Sequence, residues 1–89
     1  MSLALSHDAK KFLDNLQAKQ FKQVASRVID LERNPRPPDM KHMHGYPGYF
    51  RITVGEYRVI YKTSDEVVHV VAVGQRNDNA VYRSFDRLQ

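Results

Sequence analysis

Cysteine is missing from all 89 residues, which removes both a disulfide framework and a thiolate nucleophile. That composition suits a reducing cytosol, and a cytoplasmic location is expected. No apolar run approaches the length of a membrane span, and Met1-Ser2-Leu3-Ala4-Leu5-Ser6-His7-Asp8 lacks the basic and apolar regions of a signal peptide. No membrane partner is therefore expected. Internal repeats and low-complexity segments are absent, so the chain reads as one domain over residues 1–89 with a single modest core. A strong charge bias is missing too: the net charge is +4, and residues 1–39 and 40–89 each carry seven basic and five acidic side chains. The tilt favours an acidic partner such as nucleic acid or an acidic protein, but any basic patch must be assembled by folding.

What is present sorts into a helical and a sheet half. Leu3, Ala4 and Leu5 suit a short first strand, and Ser6 suits the N-cap of a helix with Asp8 in its first turn. Ala9, Phe12, Leu13 and Leu16 recur at helical spacing, as do Phe21, Val24, Ala25, Val28 and Leu31 in a second helix that Asn34-Pro35 ends. A proline- and glycine-punctuated connection runs from Pro35 to Gly48. Phe50, Ile52 and Val54 then alternate with Arg51 and Thr53, Gly55-Glu56 turns the chain, and Tyr57 to Lys62 forms the next strand. Thr63 to Glu66 turns it again into the β-branched run Val67 to Val73, and Ala80 to Leu88 closes as a short helix or a further strand. The expected class is α+β: an N-terminal αα-hairpin packed on one face of a small antiparallel sheet of three to four strands, with the other face left for function.

Arginines and tyrosines punctuate the sheet half: Arg51, Tyr57-Arg58, Gly74-Gln75-Arg76 and Val81-Tyr82-Arg83. Strand alternation places residues of equal parity on one face, so Arg58 and Arg76 are expected to converge. A guanidinium keeps its charge and presents a donor fork that fits phosphate.

Gly45-Tyr46-Pro47-Gly48-Tyr49-Phe50-Arg51-Ile52-Thr53-Val54-Gly55-Glu56-Tyr57-Arg58-Val59-Ile60-Tyr61, then Val71 to Arg76 and Ala80 to Arg83, resembles the RelE branch of the RelE/ParE toxin superfamily. The opening Ser-x-x-Ala-x-x-Phe-Leu helix and the Asn-Pro stop are similar too, so the likeness covers most of the chain. The resemblance implies the toxin of a type II toxin–antitoxin system, a ribosome-dependent messenger-RNA endoribonuclease that needs no metal or other cofactor. It also implies a cognate antitoxin that wraps and silences the toxin in a higher-order hetero-oligomer, with the ribosome and its message as the other partners. Carried over by motif, the site falls on Arg51, Arg58, Arg76 and Tyr82, with Arg58, Arg76 and Tyr82 the expected catalytic residues and Arg51 an expected RNA-binding residue. Lys41, Arg83 and Tyr49 join it as further expected RNA contacts outside the motif match. One departure stands out. Where the best-known relative has two lysines flanking an isoleucine, this chain has Arg51 and Thr53, and Lys41 or Arg83 is the candidate to replace the lost charge. The alternatives are a ParE-like DNA gyrase inhibitor and a basic domain that binds RNA or protein without catalysis.

The chemistry is coherent apart from the family. RNA is cut when its 2′-OH attacks the adjacent phosphorus, which requires orienting that hydroxyl, neutralising phosphorane charge and protonating the leaving 5′-oxygen. Arginines suit the second task and not the third. Tyr82 acts either in proton transfer or by stacking on a base. His42 and His44 read first as solvated surface, then as RNA contacts, and last as metal ligands. His69 reads as a satisfied half-buried histidine and His7 as first-turn surface, while Tyr46 and Tyr49 divide between base stacking and packing on the loop prolines.

Overall fold

Ser6 starts the first helix as expected, its Oγ accepting a hydrogen bond from the Ala9 amide at 3.0 Å. In the computed structural model, which describes residues 2–76, β1 (Ser2–Leu5) leads into α1 (His7–Asp14) and α2 (Ala18–Arg33). The remaining elements are β2 (Lys41–His42), β3 (Tyr49–Val54), β4 (Tyr57–Ser64) and β5 (Val67–Gln75). Helix α2 stops where Asn34 turns extended ahead of Pro35, with φ −137° and ψ 94°.

The sheet is five-stranded and mixed, in the order β1-β5-β4-β3-β2, which corrects the expected three to four antiparallel strands. Two elements account for the difference. Strand β1 pairs parallel with β5, from Ser2 opposite Val67 to Leu5 opposite Val70, because two helices and three strands intervene before the chain returns beside it. Strand β2 lies inside the proline-rich connection and pairs Lys41 with Arg51 and His42 with Phe50. The helices also differ from a hairpin with its own interface: α1 packs chiefly on β5 and less on α2. The Ala80 to Leu88 element lies outside the described residues.

Alternation on β3 is clean. Phe50, Ile52 and Val54 join Val59, Tyr61, Val68, Val70 and Val73 against Ala9 and Leu13 of α1 and Val24, Val28 and Leu31 of α2. These side chains make the main core, and hydrophobic burial there is the principal stabilising term. Tyr61 is the largest fully buried residue, and its hydroxyl donates to the Pro35 carbonyl at 2.7 Å. That bond satisfies the buried Tyr61 hydroxyl and pins the start of the long connection. Burial, reinforced by the charge of Asp39, pushes the Tyr61 phenol up to about 12.

A β-bulge decides what reaches the other face. Ile60 pairs with Ala72 while Tyr61 pairs with Val70, so Val71 is an extra residue on β5. Before it the even-numbered Val68 and Val70 point into the main core, and after it the odd-numbered Val73 does. Ser6 holds the irregularity, its Oγ donating to the Val71 carbonyl at 2.8 Å while its amide bonds the Val70 carbonyl at 2.9 Å.

Candidate functional site

The face of the sheet turned away from the helices can be read in tiers from the register. Thr53, Arg58 and Gly74 lie side by side on β3, β4 and β5. The next tier is Lys41, Arg51, Ile60 and Ala72 across β2 to β5, and the one beyond holds Tyr49, Lys62 and His69, with Ala4 of β1 at its side. Arg51 and Arg58 are half-buried and Lys41 is exposed. Among the described residues no carboxylate occupies a register position on this face of β2 to β5, which carries Lys41, Arg51, Arg58 and Lys62.

A second, smaller apolar cluster forms its centre. Met43, Ile60 and Ala72 are buried, with Tyr46, Tyr49 and Val71 packed around them. The Met43 amide bonds the Tyr49 carbonyl at 2.9 Å, and Tyr46 and Tyr49 in turn close successive turns of the loop. Tyr49 therefore packs against the loop and still reaches the cationic face: the Lys62 Nζ sits 5.5 Å from its ring centroid.

Gly74, opposite Arg58, contributes no side chain to the tier beside it, and the Arg58 Nε is shielded from solvent. The strand end at Arg76 is tied down by its amide, which donates to the Glu56 carbonyl at 2.7 Å in the β3–β4 turn. Gly55 leads that turn with φ +58°, a conformation suited to glycine at the first position of a two-residue hairpin. The bulge matters here as well. Without it, Arg76 would carry the parity of Val68 and Val70 and belong to the helix-covered side. With it, Arg76 shares the parity of Ala72 and Gly74, the partners of Ile60 and Arg58.

The fold thus brings Lys41, Tyr49, Arg51 and Arg58 to one face and places Arg76 at its edge, whereas Tyr82 and Arg83 lie outside the described residues. The sequence reading passed over Lys62, although its parity with Arg58 and Ile60 on β4 is the signal that finds it. The histidines do not gather. The His42 ring packs edge-on against Phe50 at 5.0 Å, and among the described residues no three metal-ligating side chains cluster. Away from this face, Arg27 Nη2 donates to both carboxylate oxygens of Asp39 at 2.9 and 3.0 Å, which lowers the Asp39 carboxyl below its ordinary value. Among the described residues no helix is long and apolar enough to cross a membrane.

Among the described residues, two helices on a mixed sheet with a cationic open face give the architecture of a toxin from a type II toxin–antitoxin system, RelE-like in structure. The chain belongs to the family described as ParE toxin of type II toxin-antitoxin system, parDE, whose model matches residues 3–80. Among solved structures, an arginine double mutant of the E. coli toxin RelE in the free state is 25% identical, covering 99% of this chain and 97% of that one with a TM-score of 0.78. The isolated E. coli RelE toxin is likewise 25% identical, over 99% of this chain and 98% of that one, with a TM-score of 0.74. The toxin–antitoxin complex RelBE2 of Mycobacterium tuberculosis contains a chain 25% identical, covering 84% of this chain and 96% of that one at a TM-score of 0.70. No curated protein sequence matches the chain.

Proposed function

We propose that this toxin is a ribosome-dependent endoribonuclease that cleaves translated messenger RNA and thereby inhibits translation. The observation that carries the reading is the convergence of Lys41, Arg51 and Arg58 on one sheet face, with the β5 bulge giving Arg76 the matching parity. In the reaction the substrate 2′-oxygen forms a bond to the adjacent phosphorus and the bond to the 5′-oxygen breaks, leaving a cyclic phosphate and a 5′-hydroxyl. Arg51 and Arg58 hold the phosphate, with Lys41 standing beside Arg51 in place of the charge that Thr53 does not supply. Arg76 neutralises the charge that develops on the phosphorane. Tyr82 orients the reacting groups or carries a proton. The nucleophile belongs to the substrate, so the protein's own groups supply orientation and charge, and ribosomal positioning of the message supplies the rest.

The partner is a cognate antitoxin that covers the cationic face and silences the toxin in a hetero-oligomer, and the site of action is the cytoplasm. The solved complexes of RelE with RelB from other organisms support such a pairing. Primer extension on a translated message after brief induction tests the activity: cuts within translated regions, absent from the same RNA without ribosomes, are expected. Equal cutting of naked RNA would contradict ribosome dependence. A second reading, inhibition of DNA gyrase, draws on the ParE description of the family. Intact messages with blocked supercoiling would select it.

A further inference from the structure

Beyond the arginines, the open face carries a second cationic station at the far end of β4. Lys62 lies opposite His69 in the β4–β5 register, four residues along the strand from Arg58 and on the same face. Four residues of strand span about 13 Å, so the two stations would meet different phosphates of one chain. Three features show that the second station is shaped rather than merely exposed. Ser64 Oγ and His69 Nε2 share a hydrogen bond of 3.2 Å, which fixes the imidazole. The Lys62 ammonium stands over the Tyr49 ring. Ala4, the β1 neighbour of His69, is small, and Ala4, Lys62, His69 and Val71 line part of a hollow of about 170 Å³. Between the stations lies the small apolar cluster of Met43, Ile60 and Ala72, with Tyr46 packed on it and Tyr49 in the Lys62 tier, an aromatic surface suited to nucleobases. The acidic turn Asp65-Glu66 bounds the far end.

We propose that Lys62, with the Ser64-oriented His69 beside it, forms a second backbone-binding subsite for single-stranded RNA, which extends the track from Arg51 and Arg58 across the tyrosines. The proposal rests on the RNA-directed reading of the open face. RNA is favoured over an acidic protein segment because cations and the aromatic rings of Tyr46 and Tyr49 share one face, the combination that single strands use.

The test is binding of 2′-O-methyl oligoribonucleotides of about 4 and about 12 nucleotides, followed by fluorescence anisotropy across a salt series. Arg58→Ala should weaken both lengths. Lys62→Ala should leave the short oligonucleotide unchanged, weaken the long one several-fold and flatten its log–log salt slope by roughly 0.7, while Lys62→Arg restores both. Thermal unfolding confirms that the variants are folded. Equal binding of the long oligonucleotide by wild type and Lys62→Ala, with Arg58→Ala still weaker, overturns the subsite and leaves the main reading standing. If Lys62→Ala weakens the antitoxin and not the RNA, the surface belongs to the protein partner and the proposal fails. No binding of either oligonucleotide by wild type overturns the subsite, and primer extension on a translated message decides the main reading separately.

Discussion

The two faces of the sheet are built from the same strands and by opposite rules. On the helix side, most alternate residues of β3, β4 and β5 are apolar and buried, and the buried phenol of Tyr61 gives its hydrogen to the Pro35 carbonyl. On the open side the intervening residues include Arg51, Arg58 and Lys62, and Ile60, Ala72 and Gly74 are buried among them. The difference teaches that stability and, on the proposed reading, activity separate at single-residue resolution, since neighbours in sequence serve opposite faces. Like charges gathered on the open face cost some stability by mutual repulsion, and the dense apolar packing behind them offsets it.

Substitutions on the helix side should act on stability. Leu31, at 1% exposure, is held between α2 and the sheet, and Leu31→Ala should cost about 2–5 kcal/mol in chemical denaturation. At the strand edge, Arg76→Ala should lower ribosomal cleavage roughly 100- to 1000-fold, with the unfolding midpoint little changed. A large stability loss at Arg76 would erase the contrast between the faces.

Smaller effects sharpen it. Ser6→Ala removes both the cap of α1 and the hydroxyl bond to the bulged Val71, so a loss of about 1 kcal/mol is expected from the cap alone. A fall in cleavage accompanying that loss would show that the bulge also aims Arg76. The raised Tyr61 phenol gives a sign for alkaline behaviour: its contribution to stability is complete below pH 10 and disappears as pH rises toward about 12. Tyr61→Phe should therefore flatten the alkaline unfolding curve in that window. Asp39, lowered by its bond to Arg27, works at the other end, its small contribution present above the ordinary carboxylate range and lost on acidification.

Much of this division was legible in the sequence, and the gaps have physical causes. Apolar alternation from Phe50 to Val54 marked both faces of β3, and the Ser6 cap and Asn34-Pro35 stop bounded the helices because local chemistry fixes such ends. Strand β2 escaped notice because its two residues are too short to show a period. The parallel pairing of β1 is a long-range contact with no local signature. The bulge at Val71 was hidden inside a run of β-branched residues, where either face tolerates valine and parity leaves no trace. Of the site, Arg51 and Arg58 fell where alternation placed them, while Arg76, one residue past β5, shares the parity of Ala72 and Gly74 only through a bulge that periodicity alone could not supply.

The division between a stabilising face and an RNA-directed face is tested most directly by pairing Arg51→Ala and Arg58→Ala in one variant and measuring thermal unfolding alongside primer extension on a translated message. The expected result is a folded protein with a near-unchanged midpoint and cuts in the message reduced by at least the roughly 100-fold that loss of one positioned charge can bring. A folded double variant that cuts translated messages at the wild-type rate would contradict the assignment of this face to RNA.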